Sequence, residues 1–309
     1  MPALSNLLTV FLIIAIGAFL KSAHIIRRDT WDGFERVTYL ILFPAMIIST
    51  MASADLSSTP FLTMGTTLVA SLLTLAVLLL LLRSALEKYF DIDGASFSSV
   101  FQGSIRWNSF VAFALATSLH GREGATLCAV AIAAMIPLLN FLSVGVLTRY
   151  AQAQKTTWTI YGQAILKNPF IWSCVIGLLL NPLMKFIPTA LFSPLSLIGQ
   201  ASLAAGLLAA GAGLELRRIP RITLGHFIPL FAKLIAMPLL AVLFASAFSV
   251  SGTALSVTIL AMAVPTASAS YILARQLGGN ATLMAEILTL QTLCAMITIP
   301  LLYGAFIIP

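Results

Sequence analysis

Long apolar stretches separated by short polar loops run through the whole chain. Most are about 17 to 25 residues long, the length of an α-helix that crosses a bilayer, and they lack the alternation of short membrane strands. The pattern therefore predicts an all-α integral membrane protein with ten transmembrane helices. These spans are Leu4–Leu20, Val37–Met51, Phe61–Leu82, Phe97–Leu119, Ala125–Leu147, Phe170–Phe186, Leu191–Leu214, Thr223–Phe248, Thr253–Leu273 and Ala281–Ile308.

The ninth span contains a break in its apolar pattern. Pro265 and Thr266 interrupt the stretch Leu260–Leu277, and a run of small residues follows. Because proline removes a backbone donor and clashes with the preceding turn, a helix must kink or unwind there. Unpaired backbone groups at this depth are tolerated only inside protein or beside a cavity. The break therefore indicates either small residues packed against a neighbouring helix or a binding site.

Composition agrees with a membrane protein and excludes most other classes. Of 309 residues, 60% are hydrophobic and 9% are charged, far from the half and the quarter that are usual in soluble domains. The net charge of +7 is interpreted as loop charge that sets orientation, with no nucleic-acid partner. Cys128, Cys174 and Cys294 lie in apolar stretches without metal-type spacing, and no metal or bound cofactor is expected.

The loop charges predict the topology. The loops after spans one, three, five, seven and nine carry thirteen Lys and Arg residues, whereas the opposite loops carry only Arg122 and Lys185. Cationic loops stay in the cytoplasm, so both termini are expected outside it, in a multi-pass protein of the cell inner (plasma) membrane. The thirteen residues are Lys21, Arg27, Arg28, Arg36, Arg83, Lys88, Arg149, Lys155, Lys167, Arg217, Arg218, Arg221 and Arg275.

Two short motifs recur in the second half of the chain. Ala125-Thr126-Leu127, at the start of span five, recurs as Ala281-Thr282-Leu283 at the start of span ten. Ile136–Leu139 likewise recurs as Ile299–Leu302. Since an odd number of spans per half inserts the halves in opposite orientations, the sequence predicts a first five-helix repeat, a short cytoplasmic linker and a second, inverted repeat. Their ranges are 1–148, 149–167 and 168–309.

The first of these matches also relates the ninth span to the fourth. The offset from Ala125 to Ala281 places Pro265 opposite Ser109, beside the polar run Gln102–Ser109 in the middle of span four. Corresponding helices interrupted at mid-membrane are typical of secondary transporters with inverted repeats, whose broken helices form the substrate site. Amides at the N-termini of half-helices favour an anionic group.

The order of these features resembles the auxin efflux carrier family. The resemblance is carried by Phe11–Ala54, by Asn168-Pro169 at the start of span six, by Gly199–Leu216, and most specifically by Pro265–Pro300. It covers essentially the whole chain. The central loop Thr148–Lys167 is short, so the chain resembles the bacterial carboxylate permeases more than the plant members with a long hydrophilic loop.

This resemblance has implications for architecture and substrate. It implies crossed, broken helices in spans four and nine, as in the related bile-acid symporters and sodium/proton antiporters. It also implies a scaffold of spans one, two, six and seven that carries a transport domain of the other six. Bacterial members resemble carriers of small carboxylates such as malate or malonate, and plant members export indole acetate.

Two positions depart from the family pattern. Span four keeps Arg106 and Asn108 but lacks the Gly and Pro that often follow the Asn, which predicts a first break that is less fully unwound. In the second half, Ser268 or Ser270 replaces the Asn that often follows the proline.

The predicted substrate-binding residues lie at the two breaks. Arg106 could hold a substrate carboxylate, or it could form a permanent internal ion pair or carbonyl clamp. Side chains at the breaks can contact the substrate directly or cap the broken helix ends. Asn140 in span five matches an intramembrane Asn of the family near the bound anion, with an interhelical hydrogen bond as the alternative. The full set is Arg106, Asn108, Ser109, Asn140, Pro265, Thr266 and Ser268.

Three further polar residues are candidates for coupling to H⁺ or Na⁺. Glu286 in span ten could carry a coupling proton, help to bind a cation, or act as the counter-ion of Arg106 or Lys233. Gln291 follows on the same span, and Lys233 lies between two prolines in span eight with the same ambiguity.

The predicted function is a secondary carrier of a small organic anion that works by elevator-type alternating access. The alternatives are a sodium-coupled symporter of the bile-acid type and a channel or sensor on the same fold. An enzyme is not expected, because the chain has neither a His-Glu-x-x-His motif nor paired Asp-rich motifs. It also has no Walker-type glycine loop, so transport is expected to use an electrochemical gradient or to be a uniport. The expected partners are the substrate anion and the lipid bilayer, with a homodimer as the assembly to test.

Overall fold

The computed structural model of the chain describes residues 2–56, 59–151, 162, 166–216 and 221–306, and all regular secondary structure in these residues is helical. Most of the predicted linker 149–167, together with Arg217 and Arg218, lies outside the described residues.

Thirteen α-helices follow one another along the described part of the chain. π-helical turns at Thr38–Leu42 and Ala232–Ala236 continue two of them into the next, and a 3₁₀ turn, Asn181–Phe186, extends a third. The α-helices are α1 (Pro2–Ser22), α2 (Arg28–Val37), α3 (Phe43–Ala52), α4 (Phe61–Phe90), α5 (Gly94–Ile105), α6 (Ser109–Tyr150), α7 (Pro169–Leu180), α8 (Thr189–Ala212), α9 (Leu224–Phe231), α10 (Met237–Ala247), α11 (Gly252–Ala263), α12 (Ser268–Gln276) and α13 (Ala281–Phe306).

The described helices confirm the all-α membrane class. Eight stretches are long and apolar enough to cross a bilayer, or up to nine if the bent pair α11–α12 counts as one span. The stretch Gly94–Tyr150 counts once in this total, although it contains a non-helical segment at 106–108 and a non-helical Gly121 with φ 58° and ψ −136°. The count of ten spans and the inverted repeat stay predictions.

Span two begins nine residues earlier than Val37, the predicted start, because α2 is helical from Arg28. In α2 the Trp31 side chain is buried, whereas Asp32 and Arg36 are exposed. The helix α2 is therefore amphipathic: its polar residues interrupt the apolar pattern of the sequence, but the backbone stays helical. Helix α4 likewise continues past the predicted Leu82 to Phe90.

The helices pack in two groups. Helices α1, α2, α3, α7 and α8 pack chiefly against one another, and α4, α5, α6 and α9 to α13 form the other group, with α6 also in contact with the first. Within the first group, α1 and α8 approach closely at Gly17 and Gly211, where an added Cβ would overlap the backbone of the facing helix. Small residues at crossings allow this approach in membrane proteins, where van der Waals packing drives helix association.

Candidate substrate-binding site

The chain unwinds at both predicted positions. Between α5 and α6, residues 106–108 are non-helical, and Arg106 is extended with φ −72° and ψ 156°. Between α11 and α12, residues 264–267 are non-helical and the two half-helices meet at a bend of 43°. The first break is therefore one residue shorter than the second, which contains Pro265.

The two breaks touch each other directly. The backbone N–H of Asn108 donates to the carbonyl of Pro265 at 2.8 Å. The sequence offset paired Pro265 with Ser109, so the observed contact lies one residue away from the predicted pairing. Each break thus satisfies one backbone group of the other at a depth where no water is at hand.

Asn108 caps the helix that follows it. Its Oδ1 accepts hydrogen bonds from the backbone N–H groups of Phe110 at 3.1 Å and Val111 at 3.2 Å. Ser109 then begins α6, and both Asn108 and Ser109 are buried. Asn108 therefore caps the N-terminus of α6, and only its Oδ1 atom takes part in the cap. The amide nitrogen of Asn108 has no hydrogen-bond partner among the described residues and can still donate to a ligand.

Arg106 and Asn140 come together from α5 and α6. One guanidinium nitrogen of Arg106 lies 3.5 Å from Asn140 Oδ1, at the long limit of a hydrogen bond, and the buried Nε has no partner among the described residues. The Tyr39 hydroxyl is close enough to interact electrostatically with Arg106. No salt bridge between described residues includes Arg106. The guanidinium therefore keeps donors that suit an anion.

Gln291 joins the second break to two other helices. Its Oε1 accepts the backbone N–H of Thr266 at 2.9 Å, and its Nε2 donates to the carbonyls of Gly103 at 2.9 Å and Pro229 at 2.8 Å. The Thr266 hydroxyl lies 3.0 Å from Ser270 Oγ. Gln291 is fully buried, and it binds the Thr266 amide of the break together with one carbonyl each from α5 and α9. Its predicted coupling role stays a prediction.

Glu35 is a polar neighbour of the break that sequence reasoning missed. Ser268 Oγ, on the first residue of α12, donates to Glu35 Oε1 at 2.6 Å. Glu35 was assigned to a loop because span two was predicted to begin at Val37. The amphipathic sequence of α2 could have indicated a helix there. That helix brings the Glu35 carboxylate to the N-terminus of α12.

Glu286 pairs with a histidine and with neither Arg106 nor Lys233. His226 Nε2 lies 2.9 Å from Glu286 Oε2. The backbone N–H of Thr223 donates to His226 Nδ1 at 3.2 Å, so Nδ1 is an acceptor and the neutral ring carries its proton on Nε2. Glu286 is thereby held at the start of α13, away from the crossover. Lys233 lies in the π-helical turn Ala232–Ala236, fully buried.

The crossover is buried at its centre and partly exposed around it. Asn108 is 4% exposed and Thr266 is fully buried, whereas Arg106, Asn140 and Ser268 are half-buried. Two cavities of about 220 Å³ and 580 Å³ lie elsewhere, one beside His120 and Ser256 and the other beside Ser53 and Gln200. The described residues contain no group of three His, Cys, Asp or Glu side chains suited to a metal ion.

Fold and breaks together define a multi-pass integral membrane protein with two unwound helices that meet at a buried polar centre. A family model described as membrane transport protein matches residues 2–303. The chain therefore belongs to this family of auxin efflux carrier-type transporters, as the resemblance in its sequence indicated. No curated protein matches the chain.

Proposed function

We propose that the protein is a secondary carrier for a small organic anion, with a carboxylate such as malonate or malate as the substrate. The observation that carries the proposal is the contact between the two breaks, Asn108 N to Pro265 O, beside an Arg106 guanidinium without a carboxylate partner. An anion there would meet the Arg106 donors, the Asn108 amide and the N-terminus of α12. Asn140, Ser109, Thr266 and Ser268 complete the proposed site.

An elevator movement agrees with the way the helices pack. The group α1, α2, α3, α7 and α8 corresponds to the expected scaffold, and the second group corresponds to the expected transport domain. Among the described residues, hydrogen bonds that cross between the groups are Ser268 to Glu35, the Glu215 amide to Thr289 Oγ1, Asn6 Nδ2 to the Ser118 carbonyl, and the Cys174 thiol to the Ala129 carbonyl. Few and polar, such contacts can exchange when one group slides against the other.

The proposal places the protein in the inner (plasma) membrane with both termini outside the cytoplasm. Thirteen cationic residues in the alternate loops support this orientation. The repeats at 1–148 and 168–309 would then insert in opposite orientations around the crossover.

Counterflow in proteoliposomes tests the proposed function. Vesicles loaded with unlabelled malonate or malate should accumulate the labelled acid from outside, without sodium and without ATP. Strict dependence on sodium would favour the bile-acid type of symporter instead. Single-channel currents that carry many ions per opening would favour a channel. Absence of exchange for every carboxylate would contradict the carrier.

A further inference from the structure

Lys233 is a buried basic residue without a hydrogen-bond partner in the part of the chain that the structure describes. Its side chain is fully buried, with 0% solvent exposure, and Nζ has no hydrogen-bond partner among the described residues. An unpaired ammonium in an apolar interior is strongly disfavoured, because neither water nor a counter-ion compensates the charge. Burial without a compensating charge therefore favours the neutral amine of Lys233, whose nitrogen lone pair can accept a proton.

The titratable groups on neighbouring elements are engaged elsewhere or uncharged. The helices that pack against the turn Ala232–Ala236 are α5, α9, α10, α11 and α13. Helices α5, α10 and α11 carry no titratable side chain. Helix α9 contributes His226 and α13 contributes Glu286, which bind each other at 2.9 Å. The remaining groups on α13 are the Cys294 thiol and the Tyr303 hydroxyl, so no free carboxylate compensates a charge on Lys233.

A short chain of contacts connects Lys233 to the second break. Gln291 binds both the Thr266 amide and the Pro229 carbonyl. Lys233 follows Pro229 by four residues, about one helical turn or 6 Å along the axis. Lys233 itself lies in the π-helical turn Ala232–Ala236, and such local distortions are frequent at functional sites. A rearrangement of the break on anion binding would therefore reach the helix segment that buries Lys233.

Gln102 is a second unsatisfied group in the same packing unit. Both polar atoms of its side chain are buried without a hydrogen-bond partner among the described residues, and it lies on α5, next to Gly103, whose carbonyl Gln291 binds. Two such polar side chains on elements that pack together leave this region with donors and acceptors that a rearrangement can use.

We propose that Lys233 is the proton-binding site of the carrier, an inference that rests on the proposed function. In a conformation open to one side, the amine takes a proton from water and becomes an ammonium ion. The field of an anion bound at the crossover stabilises that ammonium, so anion and proton bind cooperatively. On the other side the ammonium returns the proton to water as the anion leaves. One proton thus crosses with each anion, so the charge moved is one unit less negative than that of the anion alone.

The thermal stability of the substrate-free protein tests the protonation of Lys233. Unfolding exposes an ordinary lysine that binds a proton up to about pH 10, whereas the folded state holds the neutral amine, so stability should rise with pH. At about pH 6 Lys233→Met should melt at a higher temperature than the parent protein, and this difference should shrink towards about pH 9. The exposed Lys185→Met is the matched control and should follow the parent protein. Parallel profiles for Lys233→Met and the parent would overturn the inference.

Malonate uptake into proteoliposomes tests the coupling. A pH gradient, acidic outside, should stimulate uptake by the parent protein and by Lys185→Met, but not by Lys233→Met. Retained stimulation in Lys233→Met would overturn the inference, and loss of stimulation in Glu286→Gln alone would assign the proton to Glu286 instead. If no protein transports malonate or malate, the proposed function fails, whereas the melting profiles still decide the state of Lys233.

Discussion

Single residues at the crossover satisfy groups of both breaks, and Asn108 shows this most clearly. Its Oδ1 caps α6 while its backbone N–H binds Pro265. The sequence could indicate that Asn108 belongs to the site, because it stands in a polar run within an apolar span. It could not indicate how the two ends of the side chain divide their roles, because that depends on the backbone geometry of the break.

Two substitutions at Asn108 separate these roles. Asn108→Ala removes the cap and should lower the free energy of unfolding by about 0.5 to 2 kcal/mol, whereas Asn108→Ser keeps a capping oxygen and should stay near the parent stability. Both lack the amide donor, so both should lose malonate transport. Thermal melting and proteoliposome flux measure the two effects, and full transport by Asn108→Ser would remove Asn108 from the substrate site.

Glu35 places a carboxylate beside the proposed anion site. Neutralising it in Glu35→Gln keeps an acceptor for Ser268 Oγ but removes the repulsion of a bound anion. Malonate should therefore bind more tightly, by about threefold to tenfold at the distances and effective dielectric of a partly buried pair. The exposed Glu123→Gln is the control and should leave affinity unchanged. An equal or weaker affinity of Glu35→Gln, measured by ligand-dependent melting, would show that Glu35 does not compete with the substrate.

Helical elements were predictable where their apolar pattern was long and not where it was interrupted. Pro265 indicated the second break directly, and the polar run Gln102–Ser109 indicated the first. The start of α2 was missed because its polar face resembles a loop. The π-helical turns were not predictable, since their local sequences, such as Thr38–Leu42, are ordinary apolar helix sequences. Their geometry comes from tertiary packing.

Gln291 is the element-scale link between α13, α5, α9 and the second break. Gln291→Met keeps the volume but leaves the Gly103 carbonyl and the Thr266 amide without their side-chain partner, while the Pro229 carbonyl still accepts the Ala232 amide. Each buried unpaired group costs about 1 to 3 kcal/mol, so we expect a loss of about 2 kcal/mol or more in the free energy of unfolding. Thermal melting measures it, with Gln200→Leu at an exposed position of α8 as the control. Equal stability of Gln291→Met and Gln200→Leu would contradict this role.

At the scale of the whole molecule, the two packing groups are the feature that sequence reasoning could obtain only from the family resemblance. Composition and loop charge indicated a polytopic membrane protein, because both depend on bulk properties. Which helices pack together depends on specific surfaces such as Gly206, where an added Cβ would lie 2.7 Å from Phe110 across the two groups. A glycine in an apolar stretch gives no sign of its neighbour.

Gly206 offers a test of sliding between the groups. Gly206→Val adds a larger side chain between α8 and Phe110 of α6. If this overpacking raises the barrier to sliding by about 1.4 kcal/mol, transport should slow about tenfold. Malonate affinity should change less than the transport rate, because the added side chain meets the Phe110 ring and not one of the proposed substrate-binding residues. Gly304→Ala, which meets nothing within 4 Å, is the control. Equal transport rates for both variants would argue against movement at this interface.

The most direct test of the central claim, a carboxylate site at the crossover, is a thermal-shift titration of the purified protein with malonate and malate. At a hundredfold excess over Kd the parent protein should gain about 2.7 kcal/mol of stability, and Asn140→Ala should lose most of that gain while Gln200→Leu keeps it. Stabilisation by neither acid, or equal stabilisation of Asn140→Ala, would contradict the account.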